Sequence, residues 1–188
     1  MKGLFVEKNF VIAIYNRNDQ AEEAIKELQK SGFDMKKLSI VSKGYETENH
    51  VIGYYNAGDR MKHWGKFGAF WGGIWGVLMG AAFFIIPGIG PVLFAGPLVA
   101  AIVAALEGAV IVGGLSAIGA ALYSMGIPKD SVIRYESALK ANKFLLIAHG
   151  GQGEATRARD ILKATNASEV TMHPAAEARK AEEEPVGV

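Results

Sequence analysis

The chain reads as an α+β protein, a ferredoxin-like split βαβ domain interrupted by a two-helix, Gly/Ala-rich transmembrane hairpin. Three features lead to this reading. Strand–helix–strand patterns stand towards both ends of the chain. Between them, Phe67 to Ile127 holds a single charged residue, Glu107. Inside that run, glycines recur at every fourth position.

The first soluble part, with its linker, is residues 1–58. Phe10-Val11-Ile12-Ala13-Ile14-Tyr15 is a short apolar run, suited to a buried strand. Asn18 or Asp19 can cap the helix that follows, with Glu22 and Glu23 in its first turn where the dipole favours them. Ala21, Ala24, Ile25 and Leu28 make its apolar stripe, and Gly32 ends it. Leu38 to Val41 reads as a second strand. The later soluble part, residues 128–173, repeats the order. Ser131 to Ala141 reads as a helix, Phe144 to Ala148 as a strand, Glu154 to Thr165 as an amphipathic helix and Glu169 to Met172 as a closing strand. Neither half can bury a core alone. Closure as one split sheet, with helices on one face, is the simplest expectation. Residues 174–188 are Ala/Glu/Lys-rich and lack an apolar face, which predicts a flexible tail.

The middle segment, residues 59–127, carries the membrane reading. A hydrocarbon core about 30 Å thick needs about 20 apolar helical residues. The two expected spans are residues 67–86 and 98–125, separated by the breaks Pro87-Gly88-Ile89-Gly90-Pro91 and Gly96-Pro97. Two spans return the chain to its starting side, as a split domain requires. Arg60, Lys62 and Lys66 precede the hairpin, and Lys129 and Arg134 follow it, while the Pro/Gly loop is uncharged. The positive-inside rule then places both termini in the cytoplasm. The same three cations form a collar suited to lipid headgroups.

Gly68, Gly72, Gly76 and Gly80 line one helical face, and Ala105, Ala109, Gly113 and Ala117 line another. Such small-residue faces let backbones approach closely, within the hairpin or between copies, and they predict a homo-oligomer. Glu107 lies opposite the second stripe. A carboxylate at that depth marks a polar contact between copies or the lining of a pore; the bland reading is an interfacial residue near a helix end.

The flanks resemble the bacterial general stress protein (heat-induced stress protein) family. The residues that carry the likeness are the apolar first strand, the Ala/Glu helix, Gly32-Phe33 and Ile40-Val41, then Gly126-Ile127-Pro128, Tyr135, Leu139 and the strand from Phe144. The resemblance implies a ferredoxin-like fold and stress-associated expression, and it implies no catalytic residues. With it, the expected location is the bacterial inner membrane.

Composition and motifs narrow the chemistry. Among 188 residues, 20 Lys+Arg balance 19 Asp+Glu, so a generally basic nucleic-acid binder is excluded. With no cysteine there is no disulfide framework, thiolate nucleophile or cysteine zinc site. His50, His63, His149 and His173 are scattered without metal-ligand spacing. Gly150-Gly151-Gln152-Gly153 stands between a strand and a helix, the right place for a phosphate cradle, but the third fingerprint glycine is missing. The expectation is a protein that is not an enzyme, with no cofactor, metal, nucleic acid or small-molecule substrate, and with the bilayer and its own copies as partners. The leading role is a membrane-associated stress protein that self-associates as a scaffold or remodels the bilayer. Two others stay open: an oligomeric pore gated by the soluble domain, and a soluble oligomeric particle with a shared apolar core.

Overall fold

The structure is a computed structural model and describes residues 8–43, 82–86, 88–107 and 114–175. In chain order its elements are β1 (Asn9–Tyr15), α1 (Asn18–Lys30), a 3-10 turn (Met35–Lys37), β2 (Leu38–Lys43), β3 (Ala82–Ile86), β4 (Gly90–Ala95), α2 (Leu98–Glu107), α3 (Ala117–Ser124), α4 (Lys129–Lys140), β5 (Phe144–Gly150), α5 (Gln152–Lys163) and β6 (Glu169–His173).

The six strands form one sheet in the order β3-β4-β2-β5-β1-β6, and every neighbouring pair is antiparallel. Its β2-β5-β1-β6 portion has the strand order of a split βαβ unit. Helix α1 carries the chain from β1 past β5 to β2, and α5 carries it from β5 past β1 to β6. The sequence places these elements within a few residues of where they form. The entry to α1 differs: Arg17 is the N-cap, and Asn18 and Asp19 lie in the first turn, where the Asp19 carboxylate holds the Arg17 guanidinium at 2.6 Å. Gly32, at φ +77°, ends the helix as expected.

Helices cover both faces of the sheet, not one. Every residue of β1 and of β5 is buried. Val11, Ala13 and Tyr15 of β1 and Phe144, Leu146 and Ala148 of β5 pack with Ala24, Ile25 and Leu28 of α1 and with Ala158 and Leu162 of α5. The alternate residues, Phe10, Ile12, Ile14, Leu145 and Ile147, pack against the opposite layer. That layer comes largely from the middle segment: Leu98 and Ile102 of α2, Ile118 and Leu122 of α3, and then Val132, Tyr135 and Leu139 of α4. Strands apolar at every position, not every second one, need cover on both sides. The described parts of residues 59–127 therefore share one core with the flanking halves.

Two elements of the expected membrane hairpin form something else. Residues 82–86, the end of the expected first span, are a strand. Ile86 pairs with Gly90 across a tight turn in which Ile89 N–H donates to Ile86 O at 3.1 Å and Gly88 takes φ +81°. The Pro/Gly break between the spans is thus the turn of a β-hairpin, whose second strand extends the sheet at the edge of β2 through pairs from Ile40–Ala95 to Lys43–Val92. Hydropathy does not separate a buried strand from a buried helix when the run is short, and Phe83-Phe84-Ile85-Ile86 is aromatic and β-branched.

The second expected span, residues 98–125, is divided. Helix α2 has 10 residues, a length of about 15 Å at about 1.5 Å per residue. Gly114 turns left-handed at φ +81°, and Ser116 begins a new helix by accepting from Gly119 N–H. Among the described residues no helix is long and apolar enough to cross a membrane. The small-residue series accordingly does not run along one helix: Ala105 lies in α2 and Ala117 in α3.

Glycine at position 96 lets α2 start against β2. Its φ is +100°, and a Cβ there would overlap Leu38 O and crowd Ser39 Cα. The close approach brings Leu98 N–H to Ser39 Oγ at 3.2 Å, which satisfies one free donor of the α2 N-terminus.

Candidate functional site

His149, His173 and Glu136 are buried on the α4 side of the sheet. Cross-strand register sets Phe10 opposite His149 on β5 and opposite His173 on β6. The three residues form one row across the sheet. His149 is 6% exposed and His173 4%. The ring centroids of Phe10 and His149 lie 6.1 Å apart, tilted at 41°. Tyr135 comes down from α4, and its hydroxyl is 2.7 Å from His173 Nε2, with the two rings edge to face at 5.9 Å.

Burial dominates the electrostatics of this row. It pushes His149 down to about 4, helped by Lys8 and Lys37 and opposed by Asp34 and Glu154. It pushes His173 down to about 4, helped by Arg134 and opposed by Glu169. It pushes the Tyr135 hydroxyl up to about 12, with Thr171 opposing. At neutral pH both imidazoles are therefore uncharged. The bond from Tyr135 to Nε2 of a neutral ring requires the proton of His173 to sit on Nδ1 if the hydroxyl donates.

A second buried group joins the middle segment to α4. Glu136, 7% exposed, accepts from Ser116 N–H at 2.8 Å and from Ser116 Oγ at 2.5 Å. A carboxylate at the start of α3 meets the Ser116 N–H, the Ser116 hydroxyl and the positive end of the helix dipole. Gly119 makes room for it, since a Cβ there would overlap Glu136 Oε1. This is an internal clamp, with no open face towards a substrate.

The Gly150–Gly153 turn is filled from within. Gly151 N–H donates to Glu154 Oε2 at 3.1 Å, and Lys37 Nζ sits 2.7 and 2.9 Å from the same carboxylate. The chain's own anion takes the place a phosphate would need. A shallow cleft of about 540 Å³ lies between α1 and α5, lined by Glu23, Glu27, Lys30, Ile161 and Thr165 among others. Among the described residues no cluster of His, Asp and Glu could hold a metal ion.

Of the residues singled out in the sequence, Gly68, Gly72, Gly76, Gly80, Ala109, Gly113, Arg60, Lys62 and Lys66 lie outside the described residues. Ala105 and Glu107 are in the last turn of α2. Ala117, at the start of α3, packs against the core of its own chain. The histidine row and Glu136 were missed. For the row, the available signal was a histidine directly after each of two expected strands, Phe144 to Ala148 and Glu169 to Met172; for Glu136, it was a glutamate on the apolar side of a helix beside Tyr135 and Leu139.

Residues 11–83 match the family described as Heat induced stress protein YflT domain, a range that begins inside β1, holds α1 and β2 and runs into β3. The match supports a general stress protein domain over less than half of the chain. The second-half residues that resemble that family lie beyond the matched range. Neither a curated protein nor a solved structure matches the chain.

Proposed function

We propose that the protein is a non-enzymatic stress protein that acts by self-association, with the split βαβ domain as scaffold and the apolar middle segment as the means of contact between copies. The observation that carries this reading is strand β3. Its sequence, Ala82-Phe83-Phe84-Ile85-Ile86, has no charge, and β4 is its one neighbour among the described residues. Natural edge strands are usually guarded by lysine, proline or a bulge, and an unguarded apolar edge is a template for another chain. The Gly68–Gly80 series directly before it offers a second surface for close approach.

A bilayer-seated form is the second reading. The uncharged run 67–81, preceded by Arg60, Lys62 and Lys66, favours contact with an anionic membrane. In that form the location is the bacterial inner membrane.

The test is fractionation of the full chain from expressing cells, followed by light-scattering mass determination across a hundredfold concentration range, with and without detergent. A concentration-dependent oligomer supports self-association, and its recovery with the membrane fraction supports the second reading. A monomer at every concentration, in both conditions, overturns the proposal.

A further inference from the structure

The structure assigns one residue row a use that the self-association reading does not involve. We propose that His149 and His173, set on either side of Phe10, form an acid-released latch on the edge strand β6.

Strand β6 has β1 as its single sheet neighbour among the described residues, through five residue pairs from Phe10–His173 to Ile14–Glu169. Its N-terminal end is anchored by Ser168, whose N–H and Oγ both donate to Ile14 O at 2.8 and 2.9 Å. Its C-terminal end is held where the histidines lie. There Asn9 accepts from Ala175 N–H at 3.2 Å, and Tyr135 grips His173 from the helix layer. Both imidazoles are buried beside an apolar ring, and they stand two strand spacings apart, about 10 Å.

Cations already stand near both imidazoles, Arg134 at His173 and Lys8 and Lys37 at His149. On the His173 side, α4 presents Arg134 and Tyr135, and β6 presents Glu169. That carboxylate already pairs with Arg134 at 3.2 Å and accepts from Thr171 at 2.9 Å. On the His149 side stand Lys8, Lys37, Asp34 and Glu154. Here Glu154 is taken by Lys37, and Asp34 accepts from Lys36 N–H. Protonation of His173 also turns Nε2 from an acceptor into a donor, so a Tyr135 hydroxyl that donates to it must reverse. Acid therefore places cations in a buried row next to existing cations, and forces the bond that ties β6 to α4 to reverse its direction. The strand held by one neighbour is the one that leaves. Its departure bares the β1 edge and Phe10.

The test is amide hydrogen exchange of the full chain from pH 7.5 to pH 4, corrected for intrinsic exchange rates. The latch predicts at least a tenfold loss of protection in residues 169–173 between pH 6 and pH 4, while Leu38–Lys43 in β2 stays protected. In the double variant His149→Gln, His173→Gln, protection of β6 stays level across the same range. Constant β6 protection in the parent chain overturns the proposal, as does loss of β2 together with β6, or identical acid loss in the variant. Should the variant fail to fold, imidazole NMR of the parent chain decides. Both rings neutral at pH 6 and titrating in step with β6 amides supports the latch; rings titrating near 6.5 with unmoved β6 amides overturns it.

Discussion

The clamp between Glu136 and the start of α3 gives a coupling that can be measured. In Gly119→Ala the new Cβ meets the carboxylate, 3.0 Å from Glu136 Cδ and closer still to Oε1. The carboxylate must withdraw, and both donors of Ser116 lose their acceptor. Hydrogen bonds to a charged group contribute about 1.5–3 kcal/mol each, and a methyl in place of glycine returns up to about 1 kcal/mol of helix propensity. The net cost expected for Gly119→Ala is about 2–6 kcal/mol, or a fall in Tm of roughly 4–24 °C for a chain of this size. Glu136→Ala alone leaves the same donors stranded and costs about as much. In the Glu136→Ala background there is no carboxylate to displace. There Gly119→Ala is neutral or stabilising by up to about 1 kcal/mol, less a few tenths for the contact with Leu115 Cβ at 3.0 Å. The cycle thus predicts a coupling of at least about 2 kcal/mol, read from urea unfolding of the four proteins by far-ultraviolet circular dichroism. Costs that add to within about 0.5 kcal/mol would refute the reasoning.

Three further outcomes follow from the same structure. Ile102→Ala removes a fully buried side chain from the interface between α2 and the sheet and should cost about 2–5 kcal/mol in detergent-free buffer; a change below about 0.5 kcal/mol, the size of an ordinary surface substitution, would show that α2 does not pack on its own sheet. Ser39→Ala withdraws the acceptor for Leu98 N–H and should lower stability by about 1–2 kcal/mol, measured by chemical denaturation. His149 and His173 have folded values of about 4, below the ordinary 6.5, so the unfolded chain binds more protons between those limits. Stability is therefore unaffected by these rings above pH 6.5, declines as pH falls through the window and levels off below pH 4, by about 2–3 kcal/mol per ring after allowance for solvent screening. Denaturation midpoints collected from pH 7.5 to 3.5 give the slope, and replacing each histidine by Gln should flatten it.

The flanking halves were legible because their physics is local. A 3.6-residue stripe in α1 and α5, a glycine after α1 and short apolar runs for β1, β2 and β5 each carry enough information alone. Cover on both faces was also written in β1, where Phe10 to Tyr15 is apolar at every position and does not alternate. The middle segment misled because hydropathy reports removal from water and not what removes the residue. Ile86, Phe94, Ile102 and Leu122 are buried against protein. The divisions were visible as Gly113-Gly114 followed by Ser116, a helix stop and a helix cap in sequence, but a long uncharged run outweighed them. The histidine row lay beyond sequence reasoning, since Phe10, His149 and His173 meet only once strand register is fixed.

The strand order also governs the history of the chain during synthesis. Strands β1 and β2 are not neighbours in the sheet, and β5 fills the gap between them. Until β5 leaves the ribosome, the first half has no central strand to pair with, and the apolar stretch from Phe67 to Ile127 has already emerged. At about 5–20 residues per second, that stretch waits for several seconds without the sheet face that will cover it. Pairings such as Asn9 with Gly150 close loops of more than a hundred residues, which makes the final assembly slow. Its vulnerable moment is therefore birth, and a nascent-chain holdase has the most to protect in the interval before Phe144 appears.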